Sequence, residues 1–236
     1  MNTTTIQKGS SRPAGGVRLC LALWLALGIG SATVANDARG GALLGRVLLN
    51  GQSTLHGWSC ESLQAELNMP FVVDVEAAHT FFKLLMEEWP EEQGELLERL
   101  NGLYEEGVQF SVATPVASLV CGNRIMERDL SQAVRASQYP LVEVELGRVL
   151  DIAVRDNPGK DVLVLRTAGS ITLGGQRRPV ELEVFVELTE HDELRFRTGK
   201  DLLMTDFDVT PPTALMGLIR VDDRFRFDYE LTLPVR

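Results

Sequence analysis

The chain has 236 residues and carries 23 Lys and Arg against 33 Asp and Glu, a net charge of −10. So acidic a balance repels polyphosphate, which excludes a nucleic-acid partner and disfavours strongly anionic lipid surfaces. A hydrophobic content of 44% is enough for one domain with a substantial core.

In chain order, Lys8, Arg12 and Arg18 precede an apolar stretch from Leu19 to Ala32, and small residues close it at Thr33 and Ala35. A basic start, a short apolar run and a small-residue exit predict a secretory leader over residues 1–35, cleaved near Ala35. As a helix the run reaches about 21 Å, short of a roughly 30 Å hydrocarbon core, so a membrane anchor is the weaker reading. Cys20 opens the run instead of following it, which does not fit a lipoprotein. Residues 36–236 are then the exported domain, expected in the periplasm or secreted.

The mature chain alternates with the period of β-strands. Leu63, Ala65, Leu67, Met69 and Phe71 fall on every second position, as do Val108, Phe110 and Val112, and Val142, Val144 and Leu146. Val180, Leu182, Val184, Val186 and Leu188 oppose Glu181, Glu183 and Glu187, and Phe225, Phe227, Tyr229, Leu231 and Leu233 oppose charged or polar neighbours. Such strands bury one face and wet the other, as antiparallel sheets do. Asn157-Pro158-Gly159, Gly174-Gly175, His191-Asp192 and Asp222-Asp223 read as turns. About eight strands result, near 43–50, 59–71, 108–116, 141–149, 161–173, 179–189, 193–205 and 224–233, and pattern alone leaves a closed barrel or a sandwich open.

Two segments have helical spacing. Arg124 to Ser137 places Met126, Leu130, Ala133 and Val134 on one stripe, with Asn123 as N-cap and Pro140 as a stop. Residues 75–107 carry Ala78, Phe81, Phe82, Leu85 and Trp89, then after Pro90 Leu96, Leu97, Leu100 and Leu103, which predicts a helical hairpin inserted between two strands. Its apolar stripe is expected to cover the barrel mouth as a lid, with the barrel wall or a protein partner as the other places for it. Two cysteines survive processing, Cys60 and Cys121, and an even count in an oxidising compartment predicts a disulfide over free thiols or half a metal site.

Five blocks in order resemble the YceI-like lipid/polyisoprenoid-binding family. They are Ser53 to Cys60 (STLHGWSC), Thr114 to Asn123 (TPVASLVCGN), Arg135 to Pro140 (RASQYP), Gly169 to Val180 (GSITLGGQRRPV), and Asp206 to Pro212 (DFDVTPP) with Met216 to Val221 (MGLIRV). The resemblance runs over about residues 42–235. It implies an eight-stranded antiparallel lipocalin-like barrel, with a short helix after strand 3, whose elongated apolar interior holds an isoprenoid tail. It also implies binding without chemistry. The chain departs from the family where its usual Lys is Arg135 with Val134 before it, and where residues 75–107 replace a short connection.

Alternation nominates Trp58, Phe71, Phe110, Val144, Ile171, Val184, Phe207, Met216 and Phe227 as lipid-lining residues, each of which is equally at home in ordinary core packing. His56 shares a strand face with Trp58. It fits a structural contact near a barrel end, a hydrogen bond to a head group such as a quinone carbonyl, or an acid–base role. No G-x-S-x-G, H-E-x-x-H or nucleotide-binding glycine pattern appears. The sequence therefore predicts no enzyme, no metal and no required cofactor, only a bound isoprenoid lipid or quinone. A protein on the 75–107 insert and a homodimer complete the partners considered, and an exported interaction module with a self-filled barrel is the alternative function.

Overall fold

The computed structural model describes residues 43–68, 75–90, 93–105, 110–157, 160–214 and 218–233. The leader expected over residues 1–35 and its cleavage site near Ala35 lie outside the described residues, as do Phe71 and Met216.

Alternating apolar side chains build a single antiparallel sheet. Its strands are β1 (Leu43–Ser53), β2 (Gly57–Asn68), β3 (Phe110–Pro115), β4 (Leu141–Asn157), β5 (Lys160–Leu173), β6 (Gln176–Leu188), β7 (Leu194–Leu203), the two-residue β8 (Thr213–Ala214) and β9 (Ile219–Leu233). They pair in the order β1-β2-β3-β4-β5-β6-β7-β9, β8 adds to the start of β9, and β9 returns to β1. This last pairing joins the first strand to the last and closes an eight-stranded barrel, which decides against a sandwich. Inside lie Val47, Leu49, Leu182, Val184, Val186, Phe227 and Leu231, all buried. Each contributes about 1.5–3 kcal/mol by leaving water.

The outer face is charged. Arg46 pairs with Glu61 at 2.5 Å, Arg155 with Glu183 at 2.7 Å, and Arg177 with Glu145. Exposed pairs of this kind add at most about 1 kcal/mol each. Glu187, expected to be wet, is buried because Arg195 and Arg197 close over its carboxylate at 2.6 and 2.9 Å. A barrel that crosses a membrane shows lipid an apolar outer band, the reverse of this pattern.

Three departures from strict alternation have local causes. The β1–β2 register shifts between Gly45 and Val47, so β2 carries a bulge: Ser62 and Ala65 both turn inward while Leu63 is 65% exposed. β4 also shifts register on both sides of Val149 and runs on to Asn157, eight residues beyond its expected end. Asp222 and Asp223 are not a turn but lie within β9, where Asp223 accepts hydrogen bonds from the Thr205 backbone N–H and hydroxyl. At the β5–β6 turn Gly174 and Gly175 have φ of 57° and 79°, the left-handed conformation that glycine adopts without strain.

Between β2 and β3 stand α1 (Val75–Glu87) and α2 (Gly94–Glu105). Antiparallel order puts this insert at the end of the barrel shared with the β4–β5 and β6–β7 turns. His79 and Lys83 of α1 meet Asp192 of the β6–β7 turn at 3.3 and 2.7 Å. The Lys83 hydrogen bond, and His79 after it, holds the exposed Asp192 carboxyl below its ordinary range. Phe82, Leu85 and Leu96 are buried in the common core, and Phe81, Trp89, Leu97 and Leu100 pack partly buried against it, so the described part of the stripe faces this end of the barrel.

Asn101 of α2 repairs the β4 irregularity. Its Nδ2 donates to the Val149 carbonyl and its Oδ1 accepts from the Val149 N–H, both at 2.9 Å. Asn101→Ala should therefore strand two backbone groups at a buried position and cost about 2–4 kcal/mol. Urea unfolding of the variant checks this, and a loss below about 1 kcal/mol would mean that water replaces the amide at no cost.

Candidate functional site

The opposite end of the barrel is open, and a cavity of about 360 Å³ runs inward from it. Its walls are the inward side chains nearest that end: Leu49 of β1, Trp58 and Cys60 of β2, Val142 of β4, Ile171 and Leu173 of β5, Leu202 of β7, and Phe225 and Phe227 of β9. Trp58 is fixed by its Nε1, which donates to the Gln52 carbonyl at 3.2 Å, and by Gly51, where any Cβ would collide with the indole.

The roof is a third helix, α3 (Arg124–Ala133). Asn123 caps it, its Oδ1 accepting from the Ile125 N–H at 2.9 Å. The helix ends earlier than expected, because Arg135 takes a left-handed φ of 55° and donates from Nη2 to the Gly174 carbonyl at 2.6 Å. Met126, Leu130, Ala133 and Val134 face the cavity. At the start of α3 the expected disulfide is present: Cys60 and Cys121 are bonded, with Cα atoms 4.0 Å apart. Glu61 and Val120 exchange backbone hydrogen bonds beside it.

Among the described residues the polar side chains of the lining stand at the mouth. They are Ser53, His56, Asn123 and Asp129, whose neighbour Arg128 holds its carboxylate at 2.9 Å. His56 is exposed, and its Nδ1 lies 2.7 Å from the Gly57 carbonyl. A carbonyl has no proton to give, so Nδ1 carries the hydrogen, and in the neutral ring Nε2 is an acceptor. That arrangement suits a head-group hydroxyl better than a quinone carbonyl. Ser53 Oγ donates to the His56 carbonyl at 2.7 Å, and Cys60, being in a disulfide, offers no thiolate.

Of the residues nominated from alternation, Trp58, Ile171 and Phe227 line the cavity, with His56 at its mouth. Val144, Val184 and Phe207 are buried elsewhere in the core, and Phe110 is partly buried at the insert end. Val184 belongs to a deeper layer with Thr198, Tyr229 and Val47. There burial pushes the Tyr229 phenol up from its ordinary range. Among the described residues the insert, expected as a lid, supplies no lining residue; α3 lies over the cavity instead. Leu49, Val142, Leu173, Leu202 and Phe225 were not nominated, although proximity to the turns at the open end is the signal that marks them. Among the described residues no cluster of three or more His, Cys, Asp or Glu is placed to hold a metal ion.

No family model matches the chain, and no curated protein matches it. Among solved structures it is similar to BcnA of Burkholderia cenocepacia, at 13% identity over 81% of this chain and 96% of that one, with a TM-score of 0.49. It is also similar to a polyisoprenoid-binding domain from Saccharophagus degradans implicated in plant cell wall breakdown, at 9% identity, 81% and 97% coverage and a TM-score of 0.47. The Campylobacter jejuni YceI protein is a further similar structure, at 16% identity, 54% and 72% coverage and a TM-score of 0.39.

Proposed function

We propose that the chain is an exported carrier, working in the periplasm or outside the cell, that holds an isoprenoid tail in its barrel and performs no chemistry on it. Residues 1–35 direct export and residues 36–236 are the binding domain. One observation carries the reading: an apolar shaft whose polar groups all stand at the mouth. The resemblance of the sequence blocks to the YceI-like family agrees with it.

A tail-first ligand places its carbons against Trp58, Ile171, Leu173 and Phe227 and leaves its head beside His56. Each five-carbon unit gains roughly 4 kcal/mol gross on burial, at about 0.8 kcal/mol per carbon. Ordering of the tail offsets much of that, so a few units are required for useful affinity. A volume of 360 Å³ sits near the lower bound of about 300–1,000 Å³ for ligand cavities, so a short chain, or the first units of a longer one, is accommodated. An isoprenoid alcohol or a reduced quinone presents the hydroxyl that Nε2 of His56 accepts.

Mass spectrometry of an organic extract of the natively purified protein tests the reading, together with titration of the delipidated protein with farnesol. Co-purified isoprenoid and saturable farnesol binding are expected; an empty extract together with no farnesol uptake rejects the proposal. His56→Ala should fold normally and weaken farnesol binding by about 1–3 kcal/mol, as for one hydrogen bond. Loss of a measurable turnover in that variant would make the protein an enzyme instead.

A further inference from the structure

The segments that border the cavity mouth carry side chains that water does not favour. Leu55 is 65% exposed, Ile125 58% and Leu218 78%. They come from the β1–β2 turn, the first turn of α3 and the approach to β9, three segments far apart in sequence. The Thr54 hydroxyl donates to the Leu218 carbonyl at 3.2 Å and the Thr54 N–H to the Arg220 carbonyl at 2.9 Å, which ties the turn that carries Leu55 to the segment that carries Leu218. Ile125 borders the same opening. Single exposed aliphatic residues are ordinary, but three around the mouth of an apolar cavity make a contact patch.

We propose that this rim docks the protein, mouth first, on a lipid bilayer, so that an isoprenoid passes from the membrane into the barrel without crossing water. The proposal rests on the isoprenoid-binding reading above. Charge distribution supports a bilayer as the occupant. Arg124, Arg128 and Arg220 stand exposed around the mouth, and the acid that lines it, Asp129, is held by Arg128. Across this end Glu127, Asp129, Asp206, Asp208, Asp222 and Asp223 stand against Arg124, Arg128, Arg135, Arg178, Arg220 and Arg224, which leaves it near neutrality. The insert at the other end carries Glu76, Glu87, Glu88, Glu95 and Glu98 against Lys83 and Arg99. An acidic chain polarised in this way meets a largely zwitterionic surface with least repulsion when its mouth leads. A patch of three side chains falls well short of the about 1,000 Å² that a stable protein interface buries, whereas a bilayer accepts shallow insertion of a few aliphatic residues.

The test is flotation of the mature protein with phosphatidylcholine vesicles containing a minor fraction of phosphatidylglycerol. Wild type should float with the vesicles. The double variant L55E/L218E should lose at least roughly tenfold in partitioning, since two charges replace two inserted aliphatic groups. Neither residue lines the cavity, so this variant should bind farnesol added in solution as wild type does. Leu84→Glu, at a 38% exposed leucine on α1 at the far end, should float normally. Wild type that stays with the buffer, or a double variant that floats as well as wild type, overturns the proposal. Vesicle binding by a wild type that takes up no farnesol would retain the docking surface and reject the isoprenoid reading alone.

Discussion

Ala133→Trp is expected to weaken retention of an isoprenoid about a hundredfold while the barrel stays folded. Ala133 sits at the last turn of α3, faces the cavity and is only partly buried against the core. An indole there adds a side chain that buries about 150–250 Å², into a space of 360 Å³ that an isoprenoid tail would otherwise occupy. Filling an apolar cavity is neutral or stabilising by about 0.5–2 kcal/mol where the side chain fits. The thermal midpoint should therefore hold or rise slightly while farnesol affinity falls by about a hundredfold, or nearly 3 kcal/mol, the loss of most of one isoprene contact. Isothermal titration alongside calorimetric unfolding reads both quantities. Unchanged affinity with a normal midpoint would place the ligand outside this cavity and end the proposed orientation. If the indole overpacks and the midpoint drops, Ala133→Phe supplies the same obstruction at smaller volume.

The second large effect belongs to the disulfide. Cys60→Ser/Cys121→Ser should lower stability by about 4 kcal/mol, the loop-closure value for the 61-residue separation. For a domain of this size that corresponds to a fall of roughly 8–16 °C in the thermal midpoint. The fold itself should survive at room temperature, because other links join the same segments. The Glu61–Val120 backbone pair remains, the Ser62 and Ser118 hydroxyls lie 2.6 Å apart, and Glu127 Oε1 accepts from the residue 121 N–H at 3.0 Å. Function should be affected along with stability. Cys60 is a wall of the cavity and Cys121 precedes the N-cap of its roof, so breaking the bond frees α3 at its start and should speed ligand exchange. Scanning calorimetry of the serine variant and stopped-flow release of a fluorescent isoprenoid measure the two consequences. A midpoint shift under about 3 °C would show that the hydrogen bonds alone hold this junction.

Period and composition determined which side chains of most strands turn inward. Val180 to Leu188 and Phe225 to Leu233 needed only their alternation, because a side-chain period of two fixes a strand's buried face wherever the ladder is regular. The same rule fails at Leu63, since a bulge depends on the length of the partner strand and leaves no trace in local spacing. The N-cap at Asn123 and the glycines of the β5–β6 turn were equally legible, being local backbone chemistry.

Depth along the barrel is a different matter. Val144, Val184, Ile171 and Phe227 obey one pattern, yet only the last two touch the cavity, because alternation specifies a face and says nothing of which layer is filled. Strand parity already puts the 75–107 insert and the helix after β3 at opposite ends, since each antiparallel strand reverses the chain. Which end stays hollow is settled only when volumes are summed in three dimensions. Phe82, Leu85 and Leu96 join the deep core and close one end, whereas the four smaller or flexible side chains of α3 span the other without filling it. The sequence by itself thus determined most of the strands, the inner faces of the regular ones and the cysteine pair; the tertiary structure alone decided the bulge, the strand ends and where the barrel is empty, because a cavity is a property of packing among residues distant in the chain.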